Sequence, residues 1–141
     1  VVHHSEFLST LVDEGRLQVD RSAAETVTFH DPCYLARVNG IVDAPRDVLA
    51  ATGAQLDELP RHGCRTACCG GGGGRMWLDD GPEDRVGRDR IKEITTAGAE
   101  TVVVSCPFCR TMIGDGLATE GHSANVVDLA EVLFESLEET G

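Results

Sequence analysis

The run Thr101-Val-Val-Val-Ser105 is the sequence feature that most constrains the fold. A continuous stretch of β-branched apolar residues is typical of a strand that is buried on both faces of a parallel sheet. A second strand is predicted at residues 26–30, where the run Thr-Val-Thr-Phe-His ends at Asp31-Pro32. Weaker strand patterns cover residues 55–59 and 125–127, so a sheet of about four strands is expected.

Helical patterns alternate with these strands. Apolar residues recur at helical spacing in segments that begin near Ser5, Asp43, Glu83, Cys106 and Asp128, and Gly15, Gly53 and Gly98 end three of them. Ser5 is the predicted N-cap of the first segment. Strands that alternate with helices form a parallel sheet with right-handed crossovers. We therefore predict a three-layer α/β fold, with a mostly parallel sheet between flanking helices and an irregular segment at residues 61–82.

The length and charge of the chain restrict its class. Its 141 residues suit one folded domain, which we assign to residues 24–141, after an N-terminal helix and a polar connector at residues 1–23. The net charge of -12 argues against a nucleic acid or an anionic membrane as a partner, because both require a basic surface. No apolar run is long enough to form a transmembrane segment. Six cysteines without a secretory signal favour a reducing compartment, so a cytoplasmic location is expected.

Five of the six cysteines follow predicted strands. They are Cys33, Cys68, Cys69, Cys106 and Cys109. The first comes after the first strand, the adjacent pair lies in the loop after the second, and Cys106 opens the helix after the third. The carboxyl ends of parallel strands meet at one edge of a sheet, so these thiols are expected to lie together. In a reducing compartment such thiols are more often metal ligands or redox groups than structural disulfides.

The adjacent pair Cys68-Cys69 indicates which chemistry to expect. Neighbouring cysteines project in different directions from an extended backbone, so they fit one tetrahedral site poorly but can bind different irons of a cluster. A structural zinc site also needs only four thiolates and would leave one over. Five converging thiolates therefore favour an iron–sulfur cluster with several irons. Two alternatives stay open: a zinc-stabilised or metal-free interaction domain, and a thiol–disulfide enzyme that uses only Cys106 and Cys109.

Five glycines, Gly70–Gly74, follow the cysteine pair. Glycine backbone can bring N–H groups close to anionic sulfides and thiolates, in positive-φ conformations that side chains disfavour. Gly70 and Gly71 are the predicted cofactor-binding glycines because they adjoin the thiols. A flexible loop is the alternative. A phosphate-binding loop is disfavoured, because Arg75 follows the glycines where the Walker pattern has Lys and then Ser or Thr.

Other residues near the cysteines have less specific patterns. His30 ends a strand and either tunes the site or is an ordinary packed histidine. Arg75 pairs either with charge at the site or in a surface salt bridge. Met76 and Trp77 are expected to cover the site and exclude water, and Cys64 is expected to be an inert small side chain. The pattern identifies no catalytic residue.

The cysteine spacing resembles the signature of the cysteine-rich CCG domain family: a Cys, some thirty residues, Cys-Cys-Gly, some thirty residues, and Cys-x-x-Cys. All five positions are filled here, by Cys33, Cys68, Cys69, Cys106 and Cys109. The elements His30-Asp-Pro-Cys-Tyr-Leu, Gly72-Gly-Gly-Arg-Met-Trp77 and Ser105-Cys-Pro-Phe-Cys also resemble the family, and the likeness covers about residues 24–137. Cys64 has no place in the signature. The family comprises the heterodisulfide reductase catalytic subunit and the iron–sulfur subunits of glycolate, lactate and glycerol-3-phosphate oxidation and of flavoprotein-linked membrane oxidoreductases.

The resemblance implies an oxidoreductase with a non-cubane [4Fe-4S] cluster held by the five cysteines. It implies either electron transfer between a flavoprotein and a quinone or another carrier, or cleavage of a disulfide substrate in one-electron steps. The implied partners are a ferredoxin-like domain, a second CCG domain and a flavoprotein. Relatives usually carry two CCG domains and this chain does not begin with Met, so we expect the C-terminal CCG domain of a longer protein. Its expected location is cytoplasmic, either free or attached to the cytoplasmic membrane face through a partner or a preceding region.

Overall fold

A computed structural model describes residues 1–20, 25–81 and 84–137. The helices in these ranges are α1 (His4–Asp13), α2 (Asp43–Thr52), α3 (Arg88–Ala97), α4 (Pro107–Thr119) and α5 (Leu129–Glu135). The strands are β1 (Thr26–His30), β2 (Gln55–Leu56), β3 (Thr101–Val104) and β4 (Asn125–Asp128). A turn of π-helix spans Tyr34–Val38, and 3₁₀ turns span Gly63–Arg65 and Gly72–Trp77.

The four strands form one parallel sheet in the order β2-β1-β3-β4. β1 and β3 are the central strands, and His30 lies opposite Val104 at their carboxyl ends. The chain continues from β1 through α2 to β2 on one side, and from β3 through α4 to β4 on the other. The strand order therefore reverses between β1 and β3, which is where ligand crevices form in open α/β sheets.

Helices cover both faces of the sheet, which confirms the predicted three-layer α/β fold. On one face, α1, α2 and α5 pack over Val27, Phe29 and Val103. On the other face, α3 and α4 pack over Val102 and Val104. Alternate residues of β3 therefore enter opposite layers of the core. Because both layers are apolar, the valines of this strand form the continuous run seen in the sequence.

The ends of two elements differ from the prediction. α1 begins after His3, whose side chain accepts the N–H of Ser5, while Glu6 completes a capping box. Ser5 is therefore inside the helix and is not its cap. β2 has two residues instead of five, because Glu58 turns towards α2 and Leu59 is buried in the layer that contains α3. The π-helical turn and the 3₁₀ turns were not predicted.

Residues 21–24, 82, 83 and 138–141 lie outside the described ranges. Part of the predicted connector and the predicted start of the third helix at Glu83 are therefore outside them. In the described part of the connector, Val19 forms an isolated antiparallel bridge with Leu137. Among the described helices, each is too short or too polar to cross a bilayer.

Candidate metal centre

Two cysteine-bearing segments leave the central strands where the strand order reverses. Cys33 follows the end of β1 and directly precedes the π-helical turn, and Cys106 follows β3 as the N-cap of α4. Cys69 and Cys109 both lie in the core layer formed with α3 and α4. The site therefore occupies one face of the sheet at its carboxyl edge, as the placement of the cysteines after strands predicts.

Cys69 and Cys109 are in direct contact inside this layer. Their exposed fractions are only 6% and 3%, and Cys109 Sγ donates a hydrogen bond to Cys69 Sγ over 3.4 Å. This hydrogen bond is the main reason that the pKa of Cys69 falls to about 4, although burial opposes the shift. His30 and the Gly71 N–H favour the thiolate further. Cys69 is therefore ionised at neutral pH.

The start of α4 brings a third thiol to this contact. The hydrogen bond with Cys109 lowers the pKa of Cys106 to about 6, and backbone N–H groups of the first helical turn contribute to the shift. The hydrogen bonds that Cys109 makes with Cys106 and Cys69 raise its own pKa far above the ordinary value. Cys109 therefore keeps its proton while its two neighbours lose theirs.

Cys33 and Cys68 are half-buried and lie next to this trio. Cys68 lies close enough to Cys33 to affect its pKa, and the Cys68 Sγ accepts the N–H of Gly70 over 3.3 Å. Burial raises the pKa of Cys33, and the nearby sulfurs of Cys68 and Cys69 raise it further. Because Cys33 interacts with Cys69 and Cys69 contacts Cys109, all five predicted cysteines belong to one connected group.

Thiols packed this closely do not all ionise in the metal-free chain. Burial raises the pKa of Cys33, hydrogen bonds to Cys106 and Cys69 raise the pKa of Cys109, and repulsion from the neighbouring sulfurs raises both further, so these two thiols stay protonated at neutral pH. Metal cations remove this conflict, since they neutralise the thiolates that bind them and displace the remaining protons. The donor set therefore fits an iron–sulfur centre, which uses several soft anionic sulfur ligands.

His30 brings a nitrogen atom to the buried side of the group. A ring nitrogen of His30, Cys69 Sγ and Cys109 Sγ all lie within 4.8 Å of one another. The histidine is 1% exposed, and burial lowers its pKa because it disfavours the charged imidazolium. A neutral imidazole therefore forms part of the buried wall of the site.

Gly70 and Gly71 form the backbone wall of the site. Gly70 has a φ of +90°, and a Cβ added there would lie 3.0 Å from the backbone nitrogen of Gly87. A Cβ at Gly71 would lie 3.1 Å from Met112 Cγ, which is tighter than normal packing, and 3.8 Å from Cys69 Sγ, which is an ordinary contact. Cβ atoms at Gly72–Gly74 would meet nothing within 4 Å. Two glycines, instead of the five that follow the cysteine pair, therefore require the absence of a side chain beside the site.

Gly87 is a supporting residue that the sequence pattern did not reveal. It is buried at the N-cap of α3. An added Cβ would lie 2.3 Å from the carbonyl oxygen of Cys69 and 3.0 Å from its carbonyl carbon. Its φ of -72° suits any residue, so the close approach alone requires glycine. The start of α3 therefore packs directly against the backbone of Cys69.

Thr66 connects three of the segments around the site. It is fully buried in the loop before the cysteine pair. Its hydroxyl donates to the Asp31 carbonyl over 2.9 Å and accepts from the Arg90 guanidinium over 3.1 Å. Its carbonyl accepts a hydrogen bond from Arg37 in the π-helical turn after Cys33. The hydroxyl and the backbone carbonyl of Thr66 thus link the end of β1, the π-helical turn and α3.

A buried carboxylate holds the end of β1 in place. Asp31 accepts two hydrogen bonds from Arg46 of α2, over 2.8 and 3.0 Å. The same carboxylate accepts the N–H of Gly63 over 2.7 Å. Arg46 also donates to Glu58, over 2.6 and 3.1 Å. This network fixes the backbone two residues before Cys33 against α2 and the loop that leads to the cysteine pair.

Three other predicted roles have different outcomes. Arg75 forms a surface salt bridge with Asp80 over 2.8 Å. The prediction that Trp77 covers the site is wrong, because its side chain is 80% exposed at the end of the second 3₁₀ turn. Cys64 is exposed and donates to the Ala36 carbonyl over 3.3 Å. The sulfur of Cys64 is therefore hydrogen-bonded to a backbone carbonyl, which agrees with the expectation that Cys64 is an inert residue of the loop.

A cavity of about 300 Å³ opens beside the cysteine pair. Cys69 and Gly70 line one side, and Met76, Ile91 and Met112 contribute apolar walls. Its volume lies at the lower end of the range for small-molecule sites. A small molecule or a side chain of another protein can therefore approach Cys69 from this side.

The cysteine spacing and the contacts among the thiols agree with a family comparison. Residues 27–114 match the model of the cysteine-rich domain called CCG. The chain belongs to the CCG family. The family predicted from the five cysteines is therefore confirmed, and the match includes every one of them.

Relatives of this CCG domain are larger proteins. A protein of Chromohalobacter salexigens, described as a probable membrane-anchored ferredoxin, is 43% identical over 141 residues, which cover 99% of this chain and 21% of the relative. The EtfAB:quinone oxidoreductase of Syntrophomonas wolfei is 41% identical, with 98% and 21% covered. One subunit of the dihydromethanophenazine:CoB--CoM heterodisulfide reductase of Methanosarcina mazei is 36% identical, with 97% and 34% covered. The chain spans about a fifth to a third of the length of these relatives.

Proposed function

We propose that this CCG domain binds an iron–sulfur cluster and transfers electrons within a larger oxidoreductase. The proposed ligands are Cys33, Cys68, Cys69, Cys106 and Cys109. The observation that carries the proposal is a group of five interacting thiols from three segments, in which Cys69 and Cys109 are in direct contact and the pKa values of Cys33 and Cys109 are raised. The backbone of Gly70 and Gly71 adds N–H groups that point at two of these sulfurs.

The arrangement of the adjacent pair supports a cluster with several irons. Cys68 interacts with Cys33, whereas Cys69 contacts Cys109. The two neighbouring sulfurs thus serve different sides of the group and can bind different irons. We propose a [4Fe-4S] cluster of the non-cubane type, in which five thiolates are used. When bound, such a cluster supplies the capacity to take up and release single electrons.

The comparisons favour electron transfer over disulfide cleavage. The relative described as an EtfAB:quinone oxidoreductase shares 41% identity with this chain, against 36% for the relative from the heterodisulfide reductase. We propose that the domain passes electrons between a flavoprotein and a quinone or another carrier, with a ferredoxin-like domain and a second CCG domain as further partners. The cavity beside Cys69 also offers a disulfide substrate access, which keeps disulfide reduction as the second candidate. The proposed location is the cytoplasm, either free or attached to the cytoplasmic membrane face through a partner.

Iron and acid-labile sulfide analysis of anaerobically reconstituted protein tests the proposal. The wild type should bind about four irons per chain, and its reduced or oxidised form should give an electron paramagnetic resonance signal. Cys69→Ser should lower the iron content severalfold. Cys64→Ser is the matched control, because this cysteine is exposed and donates a hydrogen bond to a backbone carbonyl. Equal iron contents in the two variants would contradict the ligand assignment.

The same preparations decide between the cluster and a zinc site. His30, Cys69 and Cys109 lie close enough for one tetrahedral ion, but such an ion would leave Cys33 and Cys68 in contact without a role. Protein that binds one zinc and never takes up iron would establish the zinc site. A thiol–disulfide enzyme based on Cys106 and Cys109 would keep its activity without the other three cysteines.

A further inference from the structure

His30 is the last residue of β1 and faces the same layer of the core as the cysteines. Val27 and Phe29 belong to the opposite layer, so the alternation of the strand directs Thr28 and His30 towards α3 and α4. A ring nitrogen there lies within 4.8 Å of both Cys69 Sγ and Cys109 Sγ. A rigid strand in the centre of the sheet thus presents an imidazole to the buried side of the thiol group.

The imidazole lacks a well-formed hydrogen bond of its own. Neither ring nitrogen of His30 has a partner at normal hydrogen-bond geometry among the residues in the described ranges, although the side chain is 1% exposed. Buried polar atoms without a partner are rare in native structures and mark a place where another group belongs. The neighbouring Asp31 carboxylate is not this partner, because its hydrogen bonds come from Arg46 and the N–H of Gly63.

The sulfurs are the acceptors that remain on this side. A thiol is a weak acceptor, whereas a sulfur that carries negative charge accepts a much stronger hydrogen bond. Metal binding makes every cysteine of the site a thiolate, and the sulfides of a cluster are anionic as well. Cys69 already carries this charge in the metal-free chain and is favoured as a thiolate by His30, and metal binding adds the charge of Cys109. The expected partner of the His30 N–H is therefore an anionic sulfur on this side of the site.

We propose that His30 donates a ring N–H to a sulfur of the metal centre on its Cys69–Cys109 side, and that it is a positioning residue that raises the reduction potential of that centre. The inference depends on the proposed iron–sulfur function. A hydrogen bond to sulfur stabilises the reduced state more, because that state carries one more negative charge. His30 thus acts through the centre and does not react itself.

Three variants in anaerobically reconstituted protein test this role. His30→Leu removes the donor in a buried apolar layer, and His30→Gln restores an N–H donor on a neutral side chain. Thr28→Val is the matched control: Thr28 is buried two residues earlier on the same face, and its hydroxyl bonds the Asp57 carbonyl over 2.7 Å. All three should keep the iron and sulfide content of the wild type.

The reduction potential, followed by electron paramagnetic resonance in a redox titration, is the main measurement. At a fixed solution potential, we expect the ratio of reduced to oxidised centre to fall about tenfold in His30→Leu. This fall corresponds to a reduction potential lowered by ~59 mV for a one-electron couple. His30→Gln should recover most of this shift, and Thr28→Val should leave the potential unchanged. An unchanged potential in iron-loaded His30→Leu overturns the inference. Loss of iron from a folded His30→Leu variant also overturns it, because His30 would then be a ligand.

A second measurement needs no variant that alters the fold. Wild-type protein labelled with ¹⁵N-histidine should show a weak nitrogen coupling and an exchangeable proton in pulsed electron paramagnetic resonance. The histidine nitrogen coupling should be absent from His30→Gln, and both signals should be absent from His30→Leu. A strong coupling typical of an iron–nitrogen bond, or no coupling at all, overturns the proposed hydrogen bond. Wild-type protein that takes up no iron would overturn the proposed function and this inference together. Failure of the hydrogen bond in iron-loaded protein would leave the function intact.

Discussion

Gly87→Ala isolates the contact between α3 and the backbone of the cysteine pair. Gly87 has helical dihedral angles, so replacement by alanine introduces no backbone strain and would stabilise an open site by about 0.4–1 kcal/mol. Here the new Cβ would lie 2.3 Å from the Cys69 carbonyl oxygen. The start of α3 and the backbone of Cys69 must therefore move apart by about 0.7 Å to reach 3.0 Å.

The displacement should affect both stability and metal binding. Forcing a methyl group into a packed contact costs about 1–3 kcal/mol, so the net destabilisation should be about 1–2 kcal/mol. Functional constellations tolerate errors of only about 0.5 Å, so iron content per chain should also fall. Urea unfolding of the reduced metal-free chain measures the first effect, and iron analysis after anaerobic reconstitution measures the second.

Gly114→Ala is the control for this experiment. It lies within α4, and a Cβ there would meet nothing within 4 Å. Alanine should therefore stabilise this helix by about 0.5–1 kcal/mol and leave the iron content unchanged. The reasoning is refuted if Gly87→Ala is as stable as Gly114→Ala and binds as much iron.

Three other predictions concern the supports of the site and its thiols. Arg46→Met should cost about 3–5 kcal/mol in urea unfolding, because it leaves the buried Asp31 carboxylate without its cation; a loss below about 1 kcal/mol would contradict this. In metal-free protein at neutral pH, iodoacetamide should modify Cys106 before Cys33, because the pKa is about 6 for the first and is raised for the second. Peptide mapping by mass spectrometry measures both rates, and equal rates would count against the assigned hydrogen bonds. Asp128→Ala removes the N-cap of α5, so its free energy of unfolding at neutral pH should be about 1 kcal/mol lower than that of the wild type. Unfolding measured as a function of pH should show this difference between variant and wild type becoming smaller below pH 3.8. Burial raises the pKa of Asp128, but the His4 imidazole 3.6 Å away and a hydrogen bond from the Ala130 N–H outweigh burial and leave the pKa lowered. The contribution is therefore present above pH 3.8 and is lost as the carboxylate protonates. A difference that persists in acid would contradict this assignment.

The fold and the grouping of the cysteines could be predicted because their signals are local. The valine run of β3 identifies a strand with two buried faces, and each cysteine lies shortly after a strand or opens a helix. Parallel topology then brings these positions to one edge whatever the strand order. The strand order itself, with the site at its reversal, depends on pairing between residues far apart in the chain and was not predicted.

The supports of the site depend on contacts through space. Gly87 precedes a helix like many other glycines, and only its distance to Cys69 makes it essential. Thr66 and Asp31 look like ordinary loop residues until their partners are known. The exposure of the Trp77 side chain could not be predicted, because it depends on the direction that the chain takes at the end of the 3₁₀ turn. The orientation of His30, in contrast, follows from the alternation of β1 and could have been inferred from the sequence.

The distance between the cysteines along the chain determines when the site can form. Cys33 and Cys68 are separated by 34 residues, and Cys69 and Cys106 by 36. Closing segments of this length lowers chain entropy, and the assembled sheet and helices offset that loss by holding the segment ends together. Zinc fingers, whose ligands are near one another in sequence, fold around their metal; here the sheet and helices bring the cysteines together, so we expect the polypeptide to fold first. Any apparatus that delivers iron and sulfide to this protein therefore has to recognise a finished, empty domain instead of a nascent chain.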